Sequence, residues 1–144
     1  MQKKESFFIN ILSESNIIYL QQFINSFPFY VILVDENHNI VTANEKVLNF
    51  TKQPIKDIIG KYCPKVIHGI DHPFEGCPLE EAVQKNKSIE KEFYDYKNNR
   101  WLLSCIYKTK FVSSDGLKIY LHVVQDITDK KKAIEKYIYI ASLN

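Results

Sequence analysis

Glycine is scarce in this chain: there are four in 144 residues (Gly60, Gly69, Gly76 and Gly116), and no two lie close enough to build a phosphate-cradling loop. The P-loop pattern and the dinucleotide-binding fingerprint both need clustered glycines, so nucleotide chemistry of those kinds is excluded. Cysteine is rarer still, with an odd count of three and no leader-like stretch ahead of them. That argues against a disulfide framework and predicts a reducing cytoplasm. A surplus of one charge is also missing, since 19 basic and 17 acidic residues leave +2. Such a balance supplies no field strong enough to grip nucleic acid or an anionic membrane. No apolar run approaches the length that spans a bilayer. What the chain does hold is 45% hydrophobic and 13% aromatic residues with 25% charged, the make-up of a folded domain. Its length suits one domain with modest tails.

Residues 5–12 are apolar and helix-compatible, and Ser13 to Asn16 offer capping side chains. Ile17, Leu20, Ile24 and Phe27 then recur at the period of one helix face until Pro28 ends it. Phe29 to Val34 is a continuous apolar run fit for a buried strand. Asp35 to Asn39 is turn chemistry, and Ile40 to Ala43 predicts a second strand, so the two form a hairpin. Asn44 has the side chain of a helix N-cap, and Gln53 to Ile59 offers a further turn or two of helix. Residues 62–78 read as irregular, with a helix over Leu79 to Lys85 behind Pro78. Three strands follow at Ile89–Tyr96, Trp101–Phe111 and Leu117–Ile127, joined by Asn-rich and Asp-Gly turns. In the last of these, Leu117, Ile119, Leu121 and Val123 alternate with Lys118, Tyr120 and His122. In the one before it, Trp101, Leu103, Cys105 and Tyr107 share a face. The tail from Asp129 is helical, with Ile127, Ile134 and Ala141 at seven-residue spacing. The fold class is therefore α+β: a five-stranded antiparallel sheet, helices across one face, and flanking helices at both ends.

Several fragments in this order resemble a PAS domain. Val34-Asp-Glu-Asn-His-Asn-Ile-Val-Thr-Ala-Asn44 is similar to that family's opening hairpin, Phe50 to the apolar end of its first helix, and Ile59-Gly60-Lys61 to its I-G-K segment. Arg100-Trp-Leu-Leu-Ser104 resembles the fourth strand, and Asp126-Ile-Thr128 the D-I-T triplet at the domain's end. The resemblance implies a sensory module rather than an enzyme. It implies an apolar pocket between sheet and helices, a signal relay at Asp126 and Thr128, and an output domain in a larger bacterial signalling protein. Ligand-pocket candidates on the apolar strand faces are Val31, Leu33, Trp101, Leu103, Cys105, Leu121 and Val123; the alternative is that they simply fill a core. The division expected is a helical segment over 1–27, the PAS domain over 28–128 and a linker helix over 129–144. Homodimerisation through the terminal helices is expected as well, and a ligand-free interaction module is the competing reading.

One loop carries most of the reactive side chains. Cys63, His68, His72 and Cys77 fall within fifteen residues and offer two thiolates and two imidazoles, a donor count that suits zinc. The stretch resembles a subset of bacterial PAS domains with a C-x4-H-G loop followed by C-x-x-C-P, except that Phe74 replaces the first cysteine of the later pair. Four uses stay open. One is a zinc or iron–sulfur site. Another is haem held by His68 or His72. A third is a redox-responsive thiol at Cys63 or Cys77 activated by Lys61 or Lys65. The last is a structural loop of buried thiols and backbone-bonded imidazoles. Gly60-Lys-Tyr-Cys63 is similar to the flavin-binding stretch of light-oxygen-voltage domains, but Tyr62, Pro64 and Lys65 replace its polar and aromatic partners, so flavin is not expected. A Cys63–His68 nucleophile and base would lack a third orienting group, which disfavours catalysis.

Overall fold

A computed structural model describes residues 11–96 and 98–143; the expected helix over 5–12 falls mostly outside them. Five strands, β1 (Tyr30–Asp35), β2 (Ile40–Ala43), β3 (Ile89–Asp95), β4 (Arg100–Val112) and β5 (Lys118–Asp126), form one sheet in the order β2-β1-β5-β4-β3. Every neighbouring pair is antiparallel. The β1–β2 hairpin closes on Asp35, whose Oδ1 accepts the backbone N–H groups of Asn37 and Asn39, each at 2.9 Å. That is the turn-forming habit of an aspartate side chain. The β4–β5 hairpin turns at Gly116, whose φ of +80° is a conformation that other residues adopt only under strain.

Between β2 and β3 the chain builds the layer that covers one face of the sheet. It runs through helix α2 (Glu45–Thr51, the second in the chain), a 3₁₀ turn at Ile55–Asp57, a π turn at Pro64–His68 and helix α3 (Pro78–Lys85). Ahead of the sheet, helix α1 (Glu14–Ile24) starts at Ser13, whose hydroxyl accepts from Asn16 N at 3.3 Å. At the other end, helix α4 (Thr128–Ser142) leaves directly from β5.

The sheet is buried on both faces, which the alternation along β5 does not reveal. The inner face meets the α2–α3 layer through Ile32, Val34, Ile106 and Tyr120, packed with Val47, Ile58, Cys63, Leu79 and Ala82. The outer face meets α1 through Val31, Leu33, Cys105, Ile119 and Val123, packed with Leu12 and Ile24. Leu103 and Leu121 join this second cluster as partly buried members. Six of the seven expected pocket residues are therefore placed on the α1 side, away from the helices that were expected to enclose them. Trp101 lies against the Tyr94 ring at 5.3 Å, near the start of α4. The reason is strand parity: residues one apart point to opposite faces, and a helix on each face makes both sets apolar.

Candidate functional site

On the inner face two polar side chains stand within the apolar layer. His122 on β5 is the cross-strand partner of both Ile32 and Ile106, so it points to the same side as those core residues. Its Nε2 lies 2.9 Å from the Ser104 hydroxyl, and Ser104 is 2% exposed. Part of the His122 side chain reaches solvent, but Nδ1 is sealed off and has no hydrogen-bond partner. A neutral imidazole has one donor and one acceptor nitrogen. Whichever nitrogen faces Ser104, the other is left wanting a partner. Burial, with a smaller contribution from nearby His68, pushes the His122 pKa down to about 4. The ring is therefore neutral at physiological pH.

The loop over this face is held at several points. Gly60 N donates to Ile40 O at 2.7 Å, Ile40 N to Lys61 O at 2.8 Å, and Cys63 N to His38 O at 2.7 Å. These bonds cover the otherwise free edge of β2. His38 is buried in the β1–β2 turn with φ +67°, and its Nε2 meets Glu80 Oε2 of α3 at 2.7 Å. His38 Nδ1 is a second sealed nitrogen without a partner. The π turn ends at His68, which is exposed at the rim and meets the Phe74 ring edge-on at 4.9 Å. Partial burial lowers the His68 pKa.

The four loop donors do not come together. Cys63 is buried in the inner cluster and Cys77 packs against it, while His68 sits at the rim and His72 is exposed on a groove. Among the described residues no group of three or more His, Cys, Asp or Glu side chains is placed to hold a metal ion. The four-donor zinc or iron–sulfur reading is corrected accordingly; these spacings send the side chains to different depths. The groove at His72 is lined by Glu75, Glu80, Glu81 and Lys91, and Lys91 pairs with Glu81 Oε2 at 2.6 Å. The activated-thiol reading of Cys63 also changes. Burial first, and the neighbouring Cys77 second, push its thiol up to about 12, and Lys65 instead lies 3.9 Å from Asp71.

The expected relay residues are tightly connected. Arg100 Nε donates to Asp126 Oδ2 at 2.7 Å, and Asp126 Oδ1 accepts from Thr128 N at 3.0 Å. The Thr128 hydroxyl oxygen accepts from Trp101 N at 2.8 Å, and Ile127 N donates to Trp101 O at 2.9 Å. The hydrogen bond from Arg100 is the main cause that holds the Asp126 carboxyl down at about 2. One turn into α4, Lys131 pairs with Glu92 Oε2 at 2.6 Å and lies 4.9 Å over the Trp101 ring. The first turn of α4 is thereby tied to β3 and β4.

His122 escaped notice because Lys118, Tyr120 and His122 look like the solvent face of β5, and Ser104 because it is a single polar residue between Leu102 and Ile106. A second apolar set on α1, at Ile17, Leu20 and Ile24, was the signal that the opposite face is covered too.

A five-stranded antiparallel sheet of this order, crossed by short helices and ending in a helix anchored to the sheet, defines an α+β module. A family model of the PAS domain matches residues 28–129, and the chain belongs to the PAS domain family. Solved structures agree on the fold. The PAS domain of BvgS from Bordetella pertussis superposes with a TM-score of 0.58 at 14% identity, covering 91% of this chain and 100% of that one. A sensory box sensor histidine kinase from Vibrio cholerae gives 0.56 at 14% identity over 77% and 90%. A domain of an HTR-like protein from Haloarcula marismortui gives 0.54 at 17% identity over 71% and 100%. No curated protein gives a significant match by sequence. No helix among the described residues is long and apolar enough to cross a membrane.

Proposed function

We propose that this PAS domain is a non-catalytic cytoplasmic sensor that takes a small ligand on the inner face, at His122 and Ser104, and relays its presence through Asp126 and Thr128 into α4. The observation that carries this reading is the sealed, unpartnered Nδ1 of His122 beside buried Ser104. A buried polar atom without a partner costs roughly 1–3 kcal/mol, which a ligand or bound water able to reach it would recover. Six of the residues expected to line a pocket remain candidates for the face under α1, and Trp101 for the junction with α4. The route outward has few parts. β5 carries both His122 and Asp126, and Asp126 accepts the N–H that opens α4. Segments 1–27 and 129–144 then serve as connectors, the latter to a kinase, a cyclic-dinucleotide enzyme or a further sensor of a bacterial signalling protein.

Native mass spectrometry of freshly purified protein tests the ligand. The expected result is a small-molecule adduct on the natural chain that is lost in His122→Phe while the circular dichroism spectrum stays unchanged. An adduct-free natural chain, together with a crystal structure in which ordered water alone satisfies Nδ1, would overturn it.

A second reading, a homodimerising interaction module, is favoured by the exposed apolar side chains of the terminal helices. Tyr19 is 71% and Phe23 63% exposed on α1, and Tyr137, Ile138 and Ile140 stand out on α4.

A further inference from the structure

Cys63 and Cys77 bracket the loop over the inner face, and the fold draws its two ends together. Cys63 is 8% exposed within the inner cluster, and Cys77 packs against the same cluster. Cys63 N is bonded to His38 O, and the His38 ring reaches Glu80, which lies in the first turn of α3 directly after Cys77. Both side chains belong to one cluster, and Cys77 adds to the effect of burial in raising the Cys63 thiol. Their surroundings differ, because Cys77 also lines the open groove with Gly76 and Glu80. The third cysteine, Cys105, belongs to the outer cluster on the far side of the sheet.

From this arrangement we infer that Cys63 and Cys77 are a redox pair: a hydroperoxide entering by the groove oxidises Cys77, and Cys63 resolves it as an intramolecular disulfide. In the first step the Cys77 thiolate attacks one oxygen of hydrogen peroxide. The O–O bond breaks, and the departing hydroxide takes up a proton to become water. Cys77 is left as a sulfenic acid, oxidised by two electrons. In the second step the Cys63 sulfur attacks that of Cys77. The Cys63 proton and the displaced hydroxide leave as a second water. In sum, two thiols and one peroxide give one disulfide and two waters. Exposure assigns the roles, since peroxide meets Cys77 first. The buried Cys63 thiol, which is hard to ionise, makes the resolving step the slower one. The bond ties both ends of the loop above His122, and it forms whether or not a ligand lies beneath.

The test is peroxide treatment of the natural chain, alkylation of remaining thiols and a tryptic map. Lys65 places the two cysteines in separate peptides. The expected result is a loss of two hydrogen masses from the intact protein and a Cys63–Cys77 linked pair of peptides that reductant separates. Cys105→Ser is expected to keep the link, and Cys63→Ser to accumulate a dimedone-reactive sulfenic acid at Cys77. Full alkylation of both cysteines after peroxide, or a link that involves Cys105, overturns the proposal. The map of the natural chain decides it even where a variant fails to fold.

Discussion

Asn44 is fully buried, and each of its four side-chain hydrogen bonds reaches a different piece of the chain. Its Oδ1 accepts from Val31 N of β1 at 3.2 Å and from Val47 N of α2 at 3.4 Å. Its Nδ2 donates to Ile24 O of α1 at 3.1 Å and to Phe29 O at 2.8 Å. The cap was legible as sequence, because an asparagine ahead of an apolar helix is the ordinary N-terminal signal. The other three partners were not, since they lie thirteen to twenty residues away along the chain. Asn44→Ala removes all four bonds; Val47 N and Ile24 O keep backbone partners in Asn44 O and Phe27 N, while Val31 N and Phe29 O lose theirs, for a loss on the order of 3 kcal/mol. Urea denaturation is expected to show a lower midpoint with an unchanged slope; a midpoint equal to that of the natural chain would show that water replaces the side chain.

At the scale of elements, the terminal helices differ from the rest in what they leave uncovered. α1 presents Ile17, Leu20 and Ile24 to the sheet, yet Ile18, Tyr19 and Phe23 face solvent. α4 is held at its first turn by Thr128 and Lys131, and beyond it Ile134, Tyr137, Ile138, Tyr139, Ile140 and Leu143 are exposed. Exposed apolar side chains in this number are the material from which the proposed dimer contact would be built. On the proposed dimer reading, light scattering is expected to give twice the chain mass for the natural protein and a shift to the monomer for Phe23→Glu. A natural chain that stays monomeric at the highest attainable concentration would remove that reading. The helical periods themselves were readable, because a 3.6-residue repeat is local. On α1 the stripe read from the sequence, Ile17, Leu20 and Ile24, is the one that meets the sheet; that α4 is held only at its first turn was not readable, because its partners Trp101 and Glu92 are distant in sequence.

Across the whole molecule, the pH dependence of stability joins the buried histidine to the fold. His122 titrates at about 4 in the fold against an ordinary 6.5. Between those values the unfolded chain binds the extra proton, so stability is full above about pH 6.5 and falls as pH drops toward 4. The size is at most about 3 kcal/mol for this ring. Lowered His68 adds in the same direction, whereas Asp126 and Glu81, held down at about 2, act only below the usual carboxylate range. Denaturation at pH 7.5 and pH 5 is expected to show this loss in the natural chain and a much smaller one in His122→Leu; equal losses in both would show that His122 stays solvated. The sequence alone determined the order of strands and helices, the three hairpins, the family and the Asp126–Thr128 junction, because turn chemistry, residue period and short motifs act over a few neighbours. Only the tertiary structure decided which strand face meets which helices. It placed His122 and Ser104 inside, six expected pocket residues under α1, and the four loop donors apart. The physical reason is that a strand alternates two faces identically, and burial is assigned to each by whatever element packs there.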